Sequence, residues 1–146
     1  MRPVVGDALP SFSRQTSLEN WNRFAAVNDE FIAVHMDDDA GRRAGNPSGA
    51  FGMGNLRLSY VMNMLRNWCE GRGEVRAIEL RYRELNQKGD VLTAVGFVTA
   101  VAEHEDEIRV ELSVDVVNQH GTSTAPGKAT VSFPSRPLNN GCSNPG

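Results

Sequence analysis

The spacing of hydrophobic residues changes once along this chain, from the period of a helix to that of a strand. Before Gly71 the apolar residues recur every three or four positions, which predicts amphipathic helices over residues 17–27 and 54–70. The first helix is set by Leu18, Trp21, Phe24 and Ala25. The second is set by Leu58, Val61, Met62, Leu65, Trp68 and Cys69. Because the second helix is apolar on most sides, we expect it to lie buried in the core.

Capping residues and charges refine this helical part of the chain. Thr16 and Glu19 have the spacing of a capping box at the start of the first helix. Three aspartates at 37–39 precede AGRRAG, and acids favour the positive end of a helix dipole, so a short helix is predicted over 38–44. Residues 1–12 are predicted to form an extended lead-in.

After Gly71, apolar and polar residues alternate, which predicts strands with one buried face. The alternating runs are 78–82, 91–101, 108–116 and 129–133. Turn residues at 88–90 and 118–121 indicate short connections and therefore antiparallel strands. An antiparallel sheet must cover its apolar face, and the helix over 54–70 is the natural cover. The order of elements predicts an α+β fold in which a curved antiparallel sheet wraps around one long central helix.

Length and composition fit one globular domain. A chain of 146 residues, 40% hydrophobic and 23% charged, can bury a single core. We expect that domain to span residues 1–134, followed by a disordered tail over 135–146. The net charge of -3 and the absence of a basic run argue against nucleic acid or an anionic membrane as partner. No apolar stretch approaches the length of a membrane span.

The N-terminus lacks the charged and apolar regions of a signal peptide, so we expect a cytoplasmic protein. Cys69 and Cys142 are then two free thiols rather than a disulfide. The three histidines have no zinc-type spacing to a cysteine, so no metal site is expected. Two of them, His104 and His120, fall in predicted turns and should be exposed.

Four stretches of the sequence occur in an informative order between about Val5 and Pro134. They are VVGDALP, RFAAVNDEFIAVHMDDDAGRRAGNP, YRELNQKGDVLTAVGFVTAV, and VVNQHG followed by GKATVSFP. Together they resemble the MaoC-like acyl dehydratases, the (R)-specific enoyl-CoA hydratase branch of the hot-dog fold. The resemblance implies a hot-dog domain that catalyses reversible syn addition of water to a trans-2-enoyl-CoA, giving a 3-hydroxyacyl-CoA.

The catalytic pattern of that family is Gly-Asp-x-Asn-Pro-x-His, with an acid five positions before a histidine. This chain carries Glu30 and His35 in that register, with Ile32 and Ala33 in place of the Asn-Pro pair. Asp29 becomes the acid instead if the loop holds one additional residue. The resemblance implies that Glu30, or Asp29 as second choice, is the catalytic base that takes a proton from water. His35, whose imidazole can exchange protons near neutral pH, would orient that water.

A glycine-rich loop leads into the central helix, where Met53 and Gly54 occupy the place of a His-Gly pair in many family members. Free N–H groups at a helix start can bind an oxygen that gains negative charge. Gly54 is therefore the candidate backbone donor to the thioester oxygen. Met53 and Asn55 are candidate substrate-binding residues, although Asn55 can equally cap the helix.

The resemblance implies no metal or redox cofactor, because coenzyme A or an acyl carrier enters as part of the substrate. Five basic residues are candidates for meeting the coenzyme A phosphates: Arg42, Arg43, Arg57, Arg81 and Lys88. Exposed sheet edges can pair between subunits, so we expect a homodimer or higher oligomer.

Two other functions stay open at this point. A hot-dog acyl-CoA thioesterase would use the same pocket, with water attacking the carbonyl carbon. A catalytically degenerate subunit would complete a hetero-oligomer with a related active subunit. The missing Asn-Pro pair and the missing histidine before Gly54 favour the degenerate subunit.

Overall fold

One long helix lies against the concave side of a curved antiparallel sheet in the computed structural model, which describes residues 2–135. The strands are β1 (Phe12–Gln15), β2 (Phe51–Gly52), β3 (Glu74–Leu80), β4 (Asn86–Gln87), β5 (Val91–Glu103), β6 (Glu107–Val117) and β7 (Gly127–Pro134). The helices are α1 (Leu18–Asn28), α2 (Asp38–Arg43) and α3 (Gly54–Cys69), with a short 3₁₀ turn at Ala33–His35. The predicted arrangement of sheet and central helix is confirmed.

The main sheet has five strands in the order β1-β5-β6-β7-β3, and every neighbouring pair is antiparallel. The four predicted strands are confirmed as β3, β5, β6 and β7, while β1 was not predicted. The first predicted strand ends at Leu80 rather than Tyr82. Strand β3 lies at the sheet edge beside β7 rather than beside β5, which follows it after the short β4.

The core forms where the helical period of α3 meets the alternation of the strands. Val61, Met64 and Leu65 of α3 are fully buried, and their spacing places them on one face of the helix. That face meets inward-pointing strand residues such as Val110 and Val131, which are directly opposed in the register of β6 and β7. Each such side chain contributes roughly 1.5–3 kcal/mol by leaving water. This core fixes the position of α3, whose start is the candidate oxygen-binding site.

Both short helices are confirmed, but the predicted capping box is wrong. The N-cap of α1 is Ser17, whose Oγ accepts the N–H of Asn20 at 3.3 Å. The Thr16 hydroxyl is buried and donates to the carbonyls of Gln87 and Asp90 at 3.0 and 3.2 Å. Thr16 is unavailable as a cap because its side chain ties the chain to the turn before β5.

Cys69, His104 and His120 have the environments that the sequence predicted. Cys69 is buried on α3 as predicted, and this burial raises the pKa of its thiol. His104 and His120 are exposed. Cys142 and the predicted tail after Ser135 lie outside the described residues. Between residues 2 and 135, no helix is both long and apolar enough to cross a bilayer.

Candidate active site

His35 lies in the 3₁₀ turn between α1 and α2, and only 8% of the residue is exposed. Its Nδ1 atom lies 2.7 Å from the carbonyl oxygen of Phe51. A carbonyl oxygen can only accept, so Nδ1 carries the hydrogen. In the neutral imidazole, Nε2 is then the nitrogen with the free lone pair. The Phe51 carbonyl thus selects the tautomer in which Nε2, rather than Nδ1, can accept a hydrogen bond from water.

Phe51 also fixes the plane of the imidazole. The rings of His35 and Phe51 meet edge to face, with centroids 5.5 Å apart and an interplanar angle of 89°. This is a favourable geometry for aromatic pairs. Phe51 therefore fixes His35 through two contacts, one from its backbone carbonyl and one from its ring.

The two candidate acids follow α1 but differ in environment. Asp29 is the C-cap of α1, exposed, with a left-handed backbone at φ 51°. Glu30 follows it, is half-buried, and donates its N–H to the Ala25 carbonyl at 3.0 Å. Within residues 2–135, no direct hydrogen bond or ion pair joins either carboxylate to His35. The pairing of Glu30 with His35 therefore stays a prediction.

Gly54 is the first residue of α3, and no side chain caps this end of the helix. Its N-cap is Met53, which is 2% exposed and packs in the core. Asn55 is exposed, and its Oδ1 accepts a hydrogen bond from the Tyr82 hydroxyl at 3.3 Å. Asn55 is therefore not the helix cap. The first-turn N–H groups stay available for an acceptor, as a site for a thioester oxygen requires.

The Phe51 carbonyl is held in place by a small ribbon and an amide pair. Phe51 lies opposite Gln87 in the β2–β4 ribbon. The side-chain amides of Gln87 and Asn46 exchange two hydrogen bonds, at 2.9 and 3.1 Å. Asn46 also donates to the Gly49 carbonyl at 2.7 Å and is 4% exposed. Residues on both sides of α3 in the sequence thus set the orientation of His35.

The aspartates at 37–39 have separate roles that the sequence did not distinguish. Asp37 caps α2 by accepting the N–H groups of Asp39 and Ala40. Asp38 instead accepts hydrogen bonds from Lys88 at 2.6 Å and from the Ala50 N–H at 2.9 Å. These two bonds, the one from Lys88 first, hold the pKa of Asp38 below its usual range. Asp38 therefore fastens α2 to the glycine-rich loop.

Tyr82 was not predicted as a site residue, and Arg57 was predicted only as one of five candidate phosphate contacts, yet Tyr82 contacts the start of α3 and Arg57 lies in its first turn. A Cβ added to Gly54 would lie 2.6 Å from ring carbons of Tyr82, and the Arg57 guanidinium carbon lies 4.8 Å from the centre of that ring. Arg57 is only 3% exposed, so its prediction as a phosphate contact is wrong. The helical spacing could have identified it, because Arg57 lies four and seven residues before the buried Val61 and Met64 and so shares their face of α3.

Three cavities of the described part of the chain lie away from these residues. The largest, about 650 Å³, runs between the end of α3 and the start of β3, beside Met62, Cys69 and Val75. Neither Glu30, His35 nor Gly54 lines any of the three. Residues 2–135 also contain no cluster of three or more histidine, cysteine or acidic side chains that could hold a metal ion.

No protein-family model matches the chain. Comparison with curated proteins likewise finds no match. Solved structures do match over nearly the whole chain. An (R)-hydratase from A. caviae involved in PHA biosynthesis is 23% identical, with a TM-score of 0.79 over 90% of this chain and 97% of that one. A MaoC-like dehydratase from Rhodospirillum rubrum is 23% identical, with a TM-score of 0.77 over 92% of this chain and 95% of that one.

A chain of the ChsH1-ChsH2 complex from Mycobacterium tuberculosis is 22% identical, with a TM-score of 0.78 over 89% of this chain and 98% of that one. At these identities the similarity establishes the architecture rather than the chemistry. The predicted α+β fold is confirmed: this chain has the hot-dog fold found in MaoC-like dehydratases and (R)-hydratases.

Proposed function

We propose that this protein is a MaoC-like hydratase that adds water reversibly to a trans-2-enoyl thioester and forms a 3-hydroxyacyl thioester. One observation carries the proposal: the nearly buried His35 donates from Nδ1 to the Phe51 carbonyl, which leaves Nε2 as an acceptor for water. The candidate oxygen-binding site at Gly54 follows Phe51 by only three residues. The residue that orients His35 is therefore only three positions before the helix start that would bind the thioester oxygen.

In the proposed step, water is held between the Glu30 carboxylate and Nε2 of His35. Glu30 takes one proton while the water oxygen bonds to the β-carbon, and the double-bond electrons move towards the thioester as an enolate. The α-carbon then receives the proton from the Glu30 carboxyl group, and the thioester carbonyl re-forms. His35 orients the water throughout and guides the return of the proton. All atoms of one water molecule end in the product, and Glu30 ends as a carboxylate.

The thioester oxygen carries most of the negative charge of the enolate. We assign its binding to the N–H of Gly54, at the positive end of the 16-residue helix α3. A donor that is already in position stabilises the transition state more than the uncharged substrate, which is the requirement for catalysis. Asn55, exposed beside it, is the proposed polar contact to the thioester.

We propose a dimer as the active form, with coenzyme A or an acyl carrier bound as part of the substrate. Strand β3 lies at an edge of the main sheet and can pair with a second copy. In such a dimer the paired subunit can contribute side chains to the acyl pocket. That subunit is a second copy, or a related chain as in the ChsH1-ChsH2 complex.

Hydration of crotonyl-CoA tests the proposal, because it removes the enoyl absorbance and leaves the thiol bound. We expect Glu30→Gln to lower kcat by about 10²–10⁴-fold, the usual contribution of a general base. Asp29→Asn, one residue away, is the matched control and should leave kcat within about twofold. The reverse ranking would make Asp29 the base.

His35→Ala should also abolish hydration, whereas His104→Ala in the exposed β5–β6 turn should not. Release of free thiol without loss of the enoyl group would instead establish a thioesterase. No turnover by the purified chain, regained on mixing with a related hydratase subunit, would establish the degenerate-subunit alternative. Full activity of His35→Ala would refute the mechanism.

A further inference from the structure

Arg57 is a buried cation without a counter-charge. It is 3% exposed, and its Nη1 donates to the carbonyls of Glu84 and Thr124 at 2.7 and 3.0 Å. Its Nε is buried and has no hydrogen-bond partner. Across residues 2–135, no carboxylate lies within 4.0 Å of this guanidinium. The cation is thus held by two carbonyl dipoles and the face of the Tyr82 ring, with no ion pair within the described residues.

Such an arrangement is unfavourable for folding. Burial lowers the pKa of the Arg57 guanidinium, because the charged form loses its hydration. Arginine nevertheless keeps its proton in proteins, so the charge stays in the interior. A buried charge without an ion-pair partner loses more free energy through desolvation than ordinary hydrogen bonds return. A buried arginine with an unused N–H therefore indicates a role other than support of the fold.

The position of Arg57 suggests what that role is. Gly54 and Arg57 are three residues apart in the first turn of α3, so they share one face of the helix. The ring of Tyr82 contacts both: it covers the Cα of Gly54, and its centre lies 4.8 Å from the guanidinium carbon. The positive charge thus lies against the same aromatic ring that covers Gly54, the candidate oxygen-binding residue. It has the same sign as the helix end and adds to its potential.

We propose that Arg57 supplies positive potential to the start of α3 and thereby stabilises the anionic oxygen of a thioester enolate bound at Gly54. It does so without touching the substrate, because the Tyr82 ring lies over Gly54 and Nη1 of Arg57 donates to the carbonyls of Glu84 and Thr124. In a water-excluded site, a fixed charge acts on a developing anion more strongly than it would in solvent. The inference rests on the proposed function and assigns to it a residue outside the catalytic loop.

Ionisation of bound acetoacetyl-CoA tests the proposal directly. Its enolate has its own near-ultraviolet band, so a pH titration of the complex gives the pKa of the bound ligand. We expect Arg57→Gln and Arg57→Met to raise this pKa by about one unit, a tenfold weaker preference for the anion. Arg57→Lys, which keeps the charge, should stay close to the wild type. The kcat for crotonyl-CoA hydration should fall about tenfold in the neutral variants, with little change in KM.

The matched control is Arg66→Met, which removes an exposed positive charge near the other end of the same helix. It should leave the ligand pKa unchanged. If Arg57→Met does not fold, Arg57→Gln decides, because an amide can still donate to the two carbonyls. An unchanged ligand pKa in a folded neutral variant would overturn the proposal, and so would failure of the wild type to bind acetoacetyl-CoA. A wild type that binds and ionises the ligand but hydrates no enoyl-CoA would refute the proposed function while leaving the role of Arg57 supported.

Discussion

Replacement of Gly54 by alanine tests the contact on which the geometry of the oxygen-binding site depends. The added Cβ would lie 2.6 Å from two ring carbons of Tyr82 and 3.1 Å from a third. Carbon atoms that are not bonded pack at about 3.5–4.0 Å, so the ring must move by roughly 1 Å. The ring is not free to do so at no cost, because its hydroxyl bonds Asn55 and its face contacts Arg57.

The expected loss follows from two opposing effects. Overpacking of this kind costs about 1–3 kcal/mol. Alanine is favoured over glycine within a helix by up to about 1 kcal/mol, although less in the first turn. The net prediction for Gly54→Ala is a loss of about 1–2 kcal/mol in the free energy of unfolding. For a chain of this size, each kcal/mol corresponds to roughly 2–4 °C in melting temperature.

A double-mutant cycle with Tyr82→Ala isolates this contact. Without the ring, the alanine methyl loses its three nearest contacts, so Gly54→Ala should be clearly less destabilising in that background. The coupling energy should therefore be about 1–3 kcal/mol, measured by urea unfolding of the four proteins. Equal destabilisation by Gly54→Ala in both backgrounds would show that Tyr82 is not the reason for glycine at this position.

Three further predictions concern the glycine-rich loop, the hydrogen bonds of Asp38 and the core. Gly45 and Gly49 both have positive φ, at 99° and 95°, but only at Gly49 would a Cβ lie 2.4 Å from an Asp38 oxygen. Urea unfolding should therefore show Gly49→Ala to cost more than the roughly 1–2 kcal/mol of backbone strain expected for Gly45→Ala, and equal losses would contradict the contact. The lowered pKa of Asp38 means that its bonds stabilise the fold above the pKa of the unfolded chain and are lost as the pH falls through the lower folded value. The stability difference between wild type and Asp38→Asn should accordingly shrink in acid, and thermal melts at several pH values would measure it. Met64→Ala, at a fully buried position, should cost about 2–5 kcal/mol, whereas the exposed neighbour Asn63→Ala should stay within about 0.5 kcal/mol.

The sequence correctly predicted the elements in which a regular spacing of apolar residues determines which face is buried. The helical spacing of Val61, Met64 and Leu65 predicts the buried face of α3, and these three residues are fully buried. Alternation through β6 gives the same result for Val110 and Leu112. In both cases the pattern is local, and the tertiary structure only has to provide something apolar on the indicated side.

The pairing of β3 could not be predicted in the same way. Consecutive strands with a short connection usually pair, and by that rule alone β5 would be its neighbour. The chain after Leu80 instead continues alongside the residues before β7, because Arg81 and Arg83 donate to the carbonyls of Pro126 and Thr124 at 2.9 Å. These backbone hydrogen bonds place Tyr82 beside the start of α3. A contact that depends on pairing between distant strands has no local pattern in the sequence.

The orientation of His35 shows a different limit of sequence reasoning. A histidine five positions after an acid points to proton chemistry, but its reactive nitrogen is chosen by a backbone carbonyl, and every residue has one. Phe51 supplies that carbonyl because Gln87 pairs with it across the β2–β4 ribbon and also bonds Asn46, 41 positions away in the sequence. The presence of a proton-exchanging histidine can therefore be predicted from the local sequence, whereas the orientation of its ring depends on tertiary contacts. The same holds for Gly54, whose available N–H is local but whose lack of a side chain is required by Tyr82, 28 residues later.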